Sequence, residues 1–272
     1  MKSYGIKTTG EPHDSNGHII EEIEINGFAI KEGMFGEAKC DEYVNRIEKV
    51  YETQEEEVGR QKLATINELD MARMPFLYDD CFKEIFMHPD ILDLVNAVLG
   101  QYFNLHLQNA IINRPSRDHH QTSWHRDLPY QEWTISKPIA MNAFVCLTDF
   151  TSENGGTLFL PHSHRFENFP SFKYIQEHET QPQAKKGAVI FFDSMVYHRA
   201  GINTSKTTRV GINNMYIAPI LRQQIDIPRA LGPLPNASPL ERQILGYDHQ
   251  TPSSVLQFRK RYLDRLEVAK TV

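Results

Sequence analysis

The residue types best suited to chemistry lie in Trp124-His125-Arg126-Asp127. Two apart on an extended segment, His125 and Asp127 project to the same side. An imidazole nitrogen and a carboxylate oxygen can then take adjacent positions on one metal ion. His198 follows the apolar run Ala188 to Phe192 and is the candidate third ligand. Two histidines and one carboxylate on one face of an octahedron leave three positions open, as in the facial triad of non-haem Fe(II) oxygenases. A structural zinc site is instead closed by four protein ligands. His-x-Asp alone is a weak signal, since chance spacing of the chain's 12 histidines and 14 aspartates supplies roughly 0.6 of such a pair, and the chain has two. His88-Pro89-Asp90 is an internal control, because its proline and its place at a helix start break strand alternation. Arg209 opens the next apolar strand after His198, so an antiparallel return brings it back toward the same point. Its rigid fork suits a carboxylate, as a dicarboxylate chelating the metal at its other end would require.

The elements that must position these residues are mostly strands. Leu105–Ile112, Ile139–Thr148, Thr157–Leu160, Ala188–Phe192 and Val210–Ile217 read as strands, separated by turn clusters such as Asn154-Gly155-Gly156 and Lys186-Gly187. Short strands with such punctuation predict a sandwich or barrel. Before them, Ile20, Ile23, Ile25, Phe28 and Ile30 come close to alternation and read as a strand broken by Asn26-Gly27. Tyr43, Ile47, Val50 and Tyr51 recur at helical spacing. His88-Pro89-Asp90 opens a further helix that Gly100 ends. Glu55-Glu56-Glu57 reads as a solvated helix end. Residues 218–252, rich in Pro and Gly, read as long loops. Ser254 to Val268 reads as a helix with Val255, Phe258, Tyr262 and Leu266 on one face. No linker is evident, so one domain over 1–272 is expected, with its strand core at about 100–220 and helical support at about 36–100 and 253–268. The alternative is two domains divided near Gly100.

Composition narrows the function class. The chain has 272 residues, 40% of them hydrophobic, and a net charge of −6, a poor match to a general nucleic-acid binder. It lacks a run long and apolar enough for a membrane span and an apolar stretch after Met1-Lys2 for a signal peptide. Three widely spaced cysteines, Cys40, Cys81 and Cys146, indicate neither a disulfide framework nor a cysteine zinc site. A reduced, cytoplasmic protein is expected, with a small-molecule substrate and neither nucleic acid nor membrane as partner. GxGxxG, P-loop, HExxH and GxSxG motifs are absent.

Several blocks together resemble the phytanoyl-CoA dioxygenase family of Fe(II)/2-oxoglutarate-dependent oxygenases. They are Trp124-His125-Arg126-Asp127-Leu128, then Leu147-Thr148-Asp149 with Glu153-Asn154-Gly155-Gly156-Thr157, then Leu160-Pro161-His162-Ser163-His164. Phe191-Phe192-Asp193, His198 and Arg209 complete the series in family order. The resemblance covers about residues 25–220. It implies a double-stranded β-helix, a cupin-like jelly roll, with iron held by His125, Asp127 and His198. It further implies that Arg209 holds the distal carboxylate of 2-oxoglutarate and that Asn109 or Gln108 touches this co-substrate, with Asn109 favoured. O2 is the third reactant, and succinate and CO2 are the co-products. Many relatives carry Ser or Thr two residues after the distal histidine, where this chain has Ala200. Asp127 argues for hydroxylation over halogenation, which replaces that carboxylate by Ala or Gly.

The remaining polar residues near the ligands are Arg126, Tyr130, Gln131, Asn142 and Arg199, taken as candidate substrate contacts. They suggest a small polar metabolite. His162 and His164 read as parts of a structural turn, His119-His120 as a polar loop or the site entrance, and Trp124 and Trp133 as packing residues. Two rival readings are a cupin-like metal-binding or sensor protein without turnover and a protein-modifying oxygenase.

Overall fold

A computed structural model describes residues 15–115, 119–128 and 131–271. Its elements in chain order are α1 (Ser15–Asn26), β1 (Phe28–Lys31), α2 (Glu37–Val58), α3 (Arg60–Thr65), β2 (Met71–Arg73), α4 (Lys83–Phe86), α5 (Pro89–Leu99), β3 (Asn104–Asn113), β4 (Ala140–Cys146), β5 (Thr157–Phe159), α6 (Phe172–His178), β6 (Val189–Asp193), β7 (His198–Ala200), β8 (Arg209–Ile217), α7 (Ile227–Leu231), α8 (Pro239–Ile244) and α9 (Val255–Thr271). Six strands form one antiparallel sheet in the order β1-β6-β4-β8-β3-β2, and β5 pairs with β7 in a smaller one. His125 extends the smaller sheet by a bridge to His198. The result is the double-stranded β-helix, with helices against the outer face of the large sheet. Helices hold 40% of the residues and strands 20%, yet the helices lie outside the core that carries the ligands.

Alternation along the central strands produces two cores. Met141, Ala143 and Val145 of β4, with Ala110, Ile112 and Ile212, face the helices. There they meet Tyr43 and Ile47 of α2 and Ile91, Leu94, Val95 and Val98 of α5. Phe144 and Cys146 of β4, with Ile111, Phe150, Phe159 and Phe192, fill the space between the two sheets. Both cores draw on the chain before and after Gly100, and β1 and β2 join the same sheet as β3 to β8. Burying an aromatic or branched side chain of this kind stabilises the fold by about 1.5–3 kcal/mol.

Three segments differ from the sequence expectation. The Ile20–Ile25 stretch is the last half of α1, not a strand. Its buried pair is Ile19 and Ile23, one helical turn apart, and the near-alternation of the other isoleucines carries no weight against that. Gly27, at φ +89°, then turns the chain into β1. A Cβ there would lie 2.7 Å from His164 Nδ1 and 2.9 Å from Val196 Cγ2, so only glycine lets α1 close onto the turn before β7. Residues 218–252 contain two short capped helices, not only loops. Asp226 caps α7 through Arg229 N, and Ser238 caps α8 through Glu241 N. The Ser238-Pro239-Leu240-Glu241 spacing is itself a helix-start signal. Finally, α9 is a helix but does not support the core. Val255, Phe258, Tyr262 and Leu266 are each at least half exposed.

Candidate active site

The two histidines are set by backbone pairing. His125 N donates to His198 O at 3.0 Å and His198 N to His125 O at 3.1 Å, which places the rings 4.4 Å apart. Each ring is then turned by a carbonyl two residues upstream. His125 Nδ1 lies 2.8 Å from Ser123 O, and His198 Nδ1 lies 3.0 Å from Val196 O. A carbonyl only accepts, so both Nδ1 atoms carry the proton and both Nε2 atoms present a lone pair. These Nε2 atoms lie 3.9 Å and 3.8 Å from Asp127 Oδ1. Two ligands at bonds of roughly 2.0–2.2 Å from one ion can span such separations. Among the described residues, His125, Asp127 and His198 are the group able to hold a metal, and His88 and Asp90 form no such group. Burial lowers the pKa of His198 to about 4, helped by the neighbouring His125, so it is a neutral ligand at physiological pH.

Asp127 is held as firmly as the histidines. Its N–H donates to Ser194 O at 3.0 Å. Its second oxygen, Oδ2, accepts from Asn142 Nδ2 at 2.7 Å, and Ser194 Oγ donates to Asn142 Oδ1 at 2.5 Å. Ser194 thereby fixes which end of the Asn142 amide faces the carboxylate. Asn142 is therefore a partner of Asp127, not a residue free to bind substrate. Its position on the inner face of β4 follows from alternation with Phe144.

Arg209 lies beside the triad, inside the β-helix. It is 1% exposed, and its Nε and Nη1 have no hydrogen-bond partner. Its guanidinium stacks over Phe150 at 4.5 Å, and burial lowers its pKa to about 10. It lines a recess of about 40 Å³ with Thr157, Phe192, His198 and Ala200. The recess shares Ile111, Gln121, Asp127 and Asn213 with a wider chamber of about 480 Å³. Thr157 is the residue the sequence reading missed. It pairs directly with Ala200 across β5 and β7, so a hydroxyl stands opposite the position where relatives carry Ser or Thr. The pairing of the Gly155-Gly156-Thr157 block with the strand after His198 was the signal that could have found it.

The other candidates separate by strand face. Asn109 lines the chamber. Gln108, its neighbour, turns outward, where it donates to Phe82 O and Asn214 Oδ1 and accepts from Phe76 N. Gln108 is thus a structural residue of the helix-facing core. Arg126 also turns away from the triad. Its guanidinium donates to the carbonyls of Met195, Ser163, Glu167 and Phe166 and stacks on Tyr197 at 4.0 Å. It braces the loops behind the candidate ligands, while the residue itself borders the chamber that reaches Asp127. Arg199 pairs with Glu179 at 3.3 Å and lies over Trp124, lining a groove on the reverse face of β7. Gln131 is buried and donates to Trp133 O. Tyr130 lies outside the described residues. Trp133, expected to pack, is 55% exposed.

The remaining histidines divide likewise. His162 Nδ1 bonds Ile25 O and His164 Nε2 bonds Glu24 O, so both tie α1 to the turn after β5. His119 is buried, accepts from Gln121 N, and stacks on His120. The turn they form delivers Gln121 to the recess and the chamber.

Known proteins resemble this chain over the same region. An uncharacterized protein of Mycobacterium tuberculosis, Rv1501, is 32% identical over 229 residues, 82% of either chain. Dioxygenase olcK of Penicillium canescens is 28% identical over 196 residues, 68% of this chain and 62% of its own. The non-haem monooxygenase ThoJ has a similar fold, with TM-score 0.62 and 21% identity over 74% of this chain and 77% of its own. The epimerase SnoN, solved with Fe3+, α-ketoglutarate and nogalamycin RO, has TM-score 0.60 and 17% identity over 82% of this chain and 91% of its own. The sequence pattern of the phytanoyl-CoA dioxygenase family matches residues 23–211, from α1 to the inner end of β8. That span includes all three candidate ligands and Arg209, and on it the chain belongs to the phytanoyl-CoA dioxygenase family.

Proposed function

We propose that this chain is an Fe(II)- and 2-oxoglutarate-dependent dioxygenase that hydroxylates a small polar metabolite. The observation that carries the reading is one arrangement. Three neutral or anionic ligand atoms converge on one point, and the adjoining recess holds a buried arginine with Nε and Nη1 unpaired. A buried charge without a partner is costly, so its place beside the triad fits a site completed by an anionic co-substrate. A protein that only bound metal would have no use for it.

In this reading His125, Asp127 and His198 hold Fe(II) and leave the other positions open. Arg209 and Thr157 receive the distal carboxylate of 2-oxoglutarate in the recess. Asn109, facing the chamber, lies where the inner part of the co-substrate would pass. The bound metal supplies O2 activation coupled to decarboxylation of 2-oxoglutarate. Overall, substrate C–H, 2-oxoglutarate and O2 give substrate C–OH, succinate and CO2, one oxygen atom entering each organic product. Asn142 keeps Asp127 Oδ2 occupied and leaves Oδ1, near both histidine Nε2 atoms, as the oxygen that would hold the metal. The apolar walls Ile111, Phe144 and Phe192 exclude water from the recess. The polar chamber beside Asp127, with Asn109, Asn213 and Gln121 among its walls, accommodates a small polar substrate.

The test is anaerobic titration with Fe(II) and 2-oxoglutarate, read by the weak charge-transfer band near 500 nm (about where such ferrous chelates absorb). The band should form in the wild type and vanish in His198→Ala. An iron-loaded, folded protein without it would refute the reading. Incorporation of label from 18O2 into a product then separates hydroxylation from epimerisation or ring closure.

A further inference from the structure

The chamber has a wall that the family blocks do not describe. It is built from β2, β3 and the loop after β8. The register between β3 and β8 slips between Leu105 and Leu107, so His106 sits at a β-bulge. In a regular strand neighbouring residues face opposite sides. Here His106 and Leu107 both line the chamber that reaches Asp127. The loop after β8 clamps the bulge. Gln224 N donates to His106 O at 3.2 Å, and Gln223 Nε2 donates to Leu105 O at 2.8 Å.

This clamp also fixes the imidazole. His106 Nδ1 lies 2.9 Å from Arg222 O, so Nδ1 carries the proton and Nε2 is left as an acceptor. Burial lowers its pKa, which keeps it neutral and keeps that lone pair available. Three arginines line the chamber, and the guanidinium of Arg126 is taken up by backbone carbonyls. Arg222 is exposed at the chamber and makes no ion pair among the described residues. Arg73 is held by Glu68 through Nε and Nη2, and its Nη1 donates to the Asn109 amide oxygen at 2.6 Å, so its guanidinium is already engaged. Gln54 fixes the Arg73 backbone from α2 through both its N–H and its carbonyl. Apart from the ligand Asp127, no carboxylate lines the chamber among the described residues.

We propose that His106 is a specificity residue whose Nε2 accepts a hydrogen bond from a hydroxyl or amine N–H of the substrate, and that Arg222 receives an anionic group of the same molecule. The substrate class is then a small carboxylate or phosphate that also carries a hydroxyl or amine. The inference rests on the oxygenase reading above. A bulge that only bent the strand would need neither an imidazole with a fixed tautomer nor an unpaired arginine facing the same space.

The test uses the full chain loaded with Fe(II) and 2-oxoglutarate, first checked for the charge-transfer band. Succinate release is then measured with three probe sets: hydroxy and amino acids, sugar phosphates, and the corresponding uncharged sugars and amides. At least one anionic member should stimulate release, and its set tells whether carboxylate or phosphate is the natural anion. For that member, His106→Leu should raise KM roughly tenfold or more, as expected for one lost hydrogen bond to a buried partner. His106→Gln keeps an acceptor and a donor to Arg222 O and should restore KM to within a few fold. Arg222→Met should raise KM for the anionic probe while the KM for 2-oxoglutarate stays constant, which a merely structural role would not achieve. Stimulation by uncharged probes alone, no stimulation by any anionic probe, or equal KM in wild type and His106→Leu overturns the proposal. Absence of the band in the wild type instead overturns the cofactor reading, and this proposal falls with it.

Discussion

Arg209→Met should make the substrate-free protein more stable while abolishing its response to 2-oxoglutarate. Burial moves the Arg209 proton equilibrium from 12.5 to about 10. At about 1.4 kcal/mol per tenfold, holding this charge inside costs ~3 kcal/mol. At neutral pH the folded and unfolded chains both carry the proton, so the whole cost applies. It fades only as pH rises from about 10 toward 12.5. The Phe150 face, 4.5 Å away, returns about 0.5–2 kcal/mol. Methionine fits the apolar side of the recess against Ile111, Phe144 and Phe192 and carries no charge. The net gain is therefore ~1–2 kcal/mol, or a few degrees in Tm at roughly 2–4 °C per kcal/mol for a chain of this size.

The co-substrate should reverse the ranking. In the wild type with Fe(II) under argon, 2-oxoglutarate at about 100 times its Kd adds ~2.7 kcal/mol. In Arg209→Met it should add almost nothing, because the recess no longer offers a cation. Thermal unfolding of both proteins, with and without 2-oxoglutarate, decides the matter. A variant that is less stable alone, yet still gains the full increment, would show that Arg209 serves the fold and that the co-substrate binds elsewhere.

Three other outcomes follow from the same geometry. Asn142→Ala should weaken Co(II) or Fe(II) binding about 10–100-fold, the usual effect of removing a partner that orients a ligand, and should also lower the apo Tm, since it leaves the buried Ser194 hydroxyl without its acceptor at a cost of about 1–3 kcal/mol; a titration with unchanged affinity would release Asn142 from that role. Asp193→Asn should raise stability near pH 7.5 by up to ~3 kcal/mol, because burial raises the Asp193 pKa from 3.8 to about 6. The ionised folded form carries that cost above about pH 6, the benefit should shrink as pH falls toward 3.8, and Asn still accepts from Met195 N, so urea melts at pH 4 and 7.5 check it. Gly27→Ala should destabilise by at least ~1 kcal/mol, since it combines a positive φ with a methyl 2.7 Å from His164 Nδ1 and 2.9 Å from Val196; denaturant melts measure it.

Much of the fold was legible because it repeats its pattern. β4 and β6 are largely apolar runs, and β3 and β8 interleave apolar residues with buried Asn or Gln; all four are buried on both faces, and such runs between turn signals announce strands. α2 and α5 show their buried stripes and end at Gly59 and Gly100. Illegible elements were short or ambiguous. β2 has three residues and exists because Gln54 and β3 hold it. α1 carries isoleucines that fit alternation as well as a helix, and its contacts with β1 and the His162–His164 turn decide the outcome. α9 has an apolar stripe that the sequence could not tell from a core-facing one, because nothing local records whether a partner surface exists.

The site shows a sharper limit. His125 and His198 converge because they are paired across extended backbone, and Asp127, in the bend that follows His125, is brought to them by its N–H bond to Ser194 O. The period of two along β7 turns Arg199 outward. Adjacency in sequence to a candidate ligand is therefore evidence against a substrate role for Arg199, which lines the groove on the reverse face. Gln108 and Asn109 illustrate the rule within a single strand, one bonded among the helices and the other at the chamber. His106 escapes the rule because a bulge cancels the alternation, and a bulge is invisible without the partner strand's register. Arg222 belongs to a loop whose position is set by hydrogen bonds to that bulge. The candidate metal ligands are thus marked by local spacing, whereas the residues proposed to face the substrate depend on long-range register. A search for specificity residues in such a chain should begin where the register breaks, not beside the ligands.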